Sequence, residues 1–153
     1  MTRTPWELSL LALETVLRLS LGGLFVWAAW SKLEDPALFA VQVAAYDILP
    51  QTVVLLVALV LPPLELLTGC MLVLTKWSRE AAFVVTGMLA VFIVALAQAA
   101  VRGLDISCGC FADELADHGP SAILVALIRD VVLLVPSIWL LIRPNRPLWR
   151  TSR

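Results

Sequence analysis

Residues 53–65 read VVLLVALVLPPLE, and the first nine of them are apolar without interruption. A strand that crosses a bilayer alternates apolar and polar residues over about ten positions, because one face meets lipid and the other a lumen. A stretch that is apolar all round has no polar face to offer, and in lipid only a helix satisfies its backbone groups within the segment. The run therefore predicts a membrane-spanning helix, continued by LLTGCMLVLT to about residue 75.

The rest of the chain has the same character. Its 153 residues are 61% hydrophobic and 15% charged, with a mean hydropathy of +0.93, whereas soluble domains run at roughly 45–50% apolar and about 25% charged. A hydrocarbon core about 30 Å thick takes about 20 apolar residues per helix, and runs near 8–31, 52–75, 79–101 and 121–142 meet that length. The expected fold is an all-α integral membrane protein, one domain over residues 1–153. It is a four-transmembrane-helix bundle with a short interfacial helix between helices one and two. That short helix lies in residues 32–50, KLEDPALFAVQVAAYDILP, where Asp35 suits an N-cap, Pro36 suits the first helical position and Pro50 marks the end. The first apolar run exceeds the roughly 7–15 residues of a signal-peptide core and carries Glu14 and Arg18, so it is expected to remain as a helix.

Lys and Arg near helix ends favour the cytoplasmic side. Arg3, Lys76, Arg79, Arg143, Arg146, Arg150 and Arg153 gather at one face, while Lys32 and Arg102 stand among acidic residues at the other. The termini are thus expected in the cytoplasm of a bacterial inner membrane, and residues 102–120 on the periplasmic or outer side. Trp6, Trp77 and Trp149 at one level, and Trp27 and Trp30 at the other, suit interfacial aromatic belts. With a formal net charge of −1 and no basic cluster interleaved with aromatics, nothing points to nucleic acid. The pattern says nothing of oligomeric state.

Glu14, Arg18, Glu65, Arg129 and Asp130 fall inside the expected spans. A charge at a helix centre costs about 2.5–3.5 kcal/mol on insertion scales, so these groups must face one another or water. Counting from the helix ends sets Arg18, Glu65 and Arg129 at similar depth, which predicts an Arg18–Glu65–Arg129 network. It reads either as a structural clamp or as a functional group, with Glu65 exchanging a proton or the arginines holding an anionic or quinone-like head group. Pro62 and Pro63, just before Glu65, each delete a helix hydrogen bond. Lys32 reads either as an interfacial anchor or as a cation beside the outer loop that favours a thiolate.

Residues 106–111, ISCGCF, set two cysteines one residue apart. A disulfide across so small a ring needs a tight bend, which Gly109 permits, and strained exposed disulfides are the labile, exchanging kind. Two thiolates also suit a soft metal such as Cu(I) or Hg(II), with His118 as a third ligand for Cys108 and Cys110. Cys70, in helix two, is expected to be a buried small hydrophobe.

Taken together, Arg18 followed by LGGLFVWAAWSKLEDPALFA, then YDILP, LPPLELLTG, Phe92, VRGLDISCGCF and IRD, the sequence resembles the MauE family of methylamine-utilisation membrane proteins within the wider DoxX-like group. Ala112 stands where that family usually has a glycine after CGCF. The resemblance implies a four-helix membrane protein acting in disulfide or redox maturation beside a periplasmic thioredoxin-like protein or cysteine-rich client. It makes Cys108 and Cys110 the redox pair and Arg18, Lys32, Glu65 and Arg129, with Asp130 beside them, the polar positions of the bundle. The leading expectation is a thiol–disulfide oxidoreductase, with a quinone near Trp27, Trp30 and Lys32 as a further redox partner. A soft-metal carrier and a non-catalytic scaffold for a redox partner are the alternatives.

Overall fold

The computed structural model describes residues 5–74, 77–104 and 120–142. They form five helices, α1 (Pro5–Glu34), α2 (Pro36–Ala45), α3 (Gln51–Leu74), α4 (Ser78–Val101) and α5 (Pro120–Ile142). All but α2 are long and apolar enough to cross a membrane. The bounds of α3, α4 and α5 lie within a residue of those read from hydropathy. α1 is longer by a turn at either end, and its 30 residues extend about 45 Å at 1.5 Å per residue.

The helices pack as two close pairs, α1 on α3 and α4 on α5, joined by contacts of α3 with α4 and of α1 with α5. Both pairs are antiparallel. On α1 and α3, Gly22 lies against Gly69 and Val73 while Lys32, further along α1, meets Glu65, earlier on α3. On α4 and α5, Thr86 meets Ser137 while Leu96 and Ala99 pack with Ile123 and Ala126. Leu21 and Phe25 of α1, Leu72 of α3, Val85 and Leu89 of α4 and Leu140 of α5 make one shared core. Lipid is as apolar as this core, so close fit and polar pairing hold the bundle rather than escape from water.

The spacing of buried residues on α3 explains its orientation. Val54, Ala58, Pro62, Glu65, Thr68, Gly69 and Leu72 recur at three- and four-residue steps and form one inward stripe, whereas Leu55, Leu56, Leu59 and Leu67 face outward. α3 runs through Pro62 and Pro63 as a single helix. Cys70, off the centre of that stripe, is half-buried with a free thiol.

α2 starts as its sequence suggests. Asp35 accepts a hydrogen bond from Leu38 N at 2.9 Å, with Pro36 in the first turn. The helix rests on α3 and, more lightly, on α1, and buries Phe39. After it the chain turns at Asp47, whose φ of 50° is left-handed. Arg102, just past α4, braces this corner by donating to Tyr46 O at 3.3 Å, Asp47 O at 3.1 Å and Asp47 Oδ2 at 3.0 Å.

The α1–α3 crossing depends on two glycines. A Cβ on Gly69 would stand 2.9 Å from the carbonyl oxygen of Gly22, and one on Gly22 would stand 2.5 Å from Val73 Cγ2 and 2.9 Å from the Gly69 carbonyl oxygen. Gly23 and Gly87 face open space. Gly69→Ala and Gly22→Ala are therefore expected to lower the unfolding midpoint of the detergent-solubilised protein. Gly23→Ala and Gly87→Ala, which gain helix propensity of up to about 1 kcal/mol each, should leave it unchanged or raise it. Equal midpoints for all four variants would disprove the close crossing.

Candidate functional site

Charge inside the bundle is arranged in pairs. Lys32, 3% exposed, turns inward from α1, and its Nζ lies 2.6 Å from both Oε1 and Oε2 of Glu65, 2% exposed on α3. The phenyl rings of Phe39 on α2 and Phe92 on α4 stand 5.2 and 5.6 Å from the ammonium, close enough for cation–π attraction. One cation thus connects four helices. A carboxylate that accepts through both oxygens from an ammonium between two aromatic faces regains part of the hydration it loses on burial.

A second pair lies on α5. Arg129 donates through Nε and Nη2 to Oδ1 of its neighbour Asp130, at 2.9 and 2.8 Å. Asp130 is 2% exposed, whereas the Arg129 side chain retains 28% of its exposure. Both pairs border one small cavity of about 30 Å³, lined also by Leu24, Phe25, Ala28, Leu89, Phe92 and Leu133. Its size suits one or two waters.

The third pair is local to α1, where Arg18 Nη2 donates to Glu14 Oε1 one turn away. Arg18 is 2% exposed, and its Nε and Nη1 have no hydrogen-bond partner. The expected Arg18–Glu65–Arg129 network is therefore corrected. Gly22 already lies level with Gly69 and Val73, so Arg18, one turn earlier on α1, sits still further from Glu65. Equal counting from helix ends failed because α1 and α3 are offset along their axes. Glu65 and Arg129 do share the cavity, but the partner at Glu65 is Lys32.

Two further expectations change. Lys32 is not an interfacial anchor, since its ammonium is buried against Glu65. Trp27 and Trp30 do not join it. They are 56% and 60% exposed on the outside of α1, and Trp30 Nε1 donates to Glu34 Oε1 at 2.9 Å. The aromatic neighbours of Lys32 are Phe39 and Phe92; both lie in the family-like pattern, but nothing in the sequence marks either as a partner of a cation. Cys108, Cys110 and His118 lie outside the described residues. Among the described residues no group of three or more His, Cys, Asp or Glu side chains could hold a metal ion.

Removing one member of a buried pair strands the other. Lys32→Met is expected to destabilise the solubilised protein by about 3–5 kcal/mol, read as a lower unfolding midpoint, while Lys32→Met combined with Glu65→Leu should recover most of the loss. A double variant no better than the single one would show that the pair is not the unit of stability.

Residues 10–143 match the family model described as methylamine utilisation protein MauE. The chain is also similar to the methylamine utilization protein MauE of Paracoccus denitrificans, with 40% identity over 118 residues that cover 76% of this chain and 62% of that protein. It thus spans less than two thirds of that relative's length. No solved structure matches it. With four apolar helices long enough to cross a bilayer and a match over most of its length, the chain belongs to the MauE family of multi-pass membrane proteins.

Proposed function

We propose that the protein is a membrane thiol–disulfide oxidoreductase of methylamine utilisation, exchanging disulfides through Cys108 and Cys110 with a periplasmic thioredoxin-like protein or cysteine-rich client. The observation that carries this reading is the Cys-Gly-Cys spacing in the segment between α4 and α5. Family membership and the printed name of the relative support the process. The distribution of Lys and Arg supports an inner-membrane placement with cytoplasmic termini and this segment outside.

In the reducing direction, a thiolate of the pair attacks the partner's disulfide, forms an intermolecular disulfide and displaces one partner thiolate. The second cysteine then attacks the bonded sulfur of the first and releases the partner as a dithiol. Two electrons pass to the partner and the pair is left as a disulfide; the reverse sequence oxidises the partner. Such attack needs a defined approach. The Arg102 brace to Tyr46 and Asp47, with Leu104 packed against the Leu96–Ile123 cluster, gives the segment a fixed base on the bundle.

A quinone does not fit the small cavity beside Lys32. The cavity beside Lys32, about 30 Å³, is far below the roughly 300–1,000 Å³ of small-molecule pockets, and Trp27 and Trp30 face away from it. The reading therefore takes a protein thiol or disulfide as the electron partner.

The test is the redox state of the pair in gently isolated membranes, in a Cys70→Ser background, with free thiols blocked before reduction and the Cys-Gly-Cys peptide then weighed. A disulfide that a mild dithiol reduces reversibly, together with a mixed disulfide trapped by Cys110→Ser or Cys108→Ser, is the expected result. Two free thiols that stay free until a metal is stripped would replace this reading with a soft-metal carrier using Cys108, Cys110 and His118.

A further inference from the structure

We propose that Asp130 and the small cavity beside it form a buried proton-binding site, with Oδ2 as the atom that takes the proton and a cavity water as its hydrogen-bond partner. The site is separate from the thiol chemistry and does not depend on it.

The two carboxylates at the cavity are unequal. Glu65 has both oxygens 2.6 Å from Lys32 Nζ, so a proton there would displace a charge-assisted bond. Asp130 accepts from Arg129 only through Oδ1. Its Oδ2 is buried, has no hydrogen-bond partner, and belongs to a residue that borders the cavity. A bare carboxylate oxygen away from water is costly, and such a group becomes neutral or takes a partner. Protonation at Oδ2 leaves both Arg129 bonds to Oδ1 intact and gives Oδ2 a hydrogen to donate to a water.

The charged groups that face Asp130 come from three helices. Lys32 from α1, Glu65 from α3 and Arg129 from α5 border the same cavity, and α4 contributes only Leu89 and Phe92. With Asp130 ionised the four groups sum to zero; with it protonated they carry one positive charge. The excess falls to Arg129, whose side chain is 28% exposed and is the one member of the four not enclosed by the bundle. The proton therefore has a defined atom and a water-sized space beside it.

Infrared spectra of the full chain in lipid nanodiscs, taken as the pH is lowered, provide the test. A slowly deuterating protonated-carboxyl C=O stretch equivalent to one buried group per chain should appear and be lost in Asp130→Asn, which keeps the side-chain oxygen that Arg129 uses. It should persist in Glu65→Gln and titrate at a different pH in Leu133→Phe, which crowds the cavity and leaves every carboxyl in place. A band retained in Asp130→Asn, or lost only in Glu65→Gln, would overturn the assignment. Should Asp130→Asn fail to fold, carboxyl-¹³C aspartate in the wild-type chain decides. A buried, slowly deuterating band that shifts with the label supports Asp130, and one that does not shift excludes it.

Discussion

The ion pair between Lys32 and Glu65 is the constraint around which the bundle is arranged. Neither group can be left alone in lipid, and each is almost wholly buried, so α1 and α3 must meet in one register. With the ammonium in place, Phe39 brings α2 over the end of α1 and Phe92 brings in α4. The glycines at 22 and 69 then allow the backbones of α1 and α3 to approach where the pairing demands it. Packing and charge thus specify the same alignment from two places on the helices.

Pairing is the rule for every charge buried in the described bundle. Glu14 with Arg18, Lys32 with Glu65 and Arg129 with Asp130 are each neutral as a unit, whereas a network of two arginines and one glutamate would have left an uncompensated cation in a medium of low dielectric. Among the described residues, the Lys32–Glu65 pair joins two helices directly. The other two pairs are bonded within one helix, at one-turn or adjacent spacing.

This arrangement separates two kinds of chemistry in the chain. The interior has ionised side chains, a water-sized space and, among the described residues, no thiol except Cys70. The cysteine pair belongs to the segment that follows the Arg102 brace. The brace itself is exposed and salt-sensitive by nature, so it steadies the root of that segment without contributing to the buried network.

Much of the fold was legible in the sequence. Runs such as residues 53–61, apolar on every face, can satisfy their backbone in lipid only as helices, and the Asp35-Pro36 start of α2 is local chemistry that needs no distant partner. The titratable residues of the interior were legible too, since a charge inside a span must have a function or a partner. Which partner was not legible, because depth counted from helix ends assumes that the ends are level. α1 is longer than α3 and offset along it, so Lys32, near the end of α1, meets Glu65, and Arg18 turns to Glu14. That choice depends on the crossing at Gly22 and Gly69, a contact between residues 47 positions apart, and only the packed tertiary structure brings such positions together.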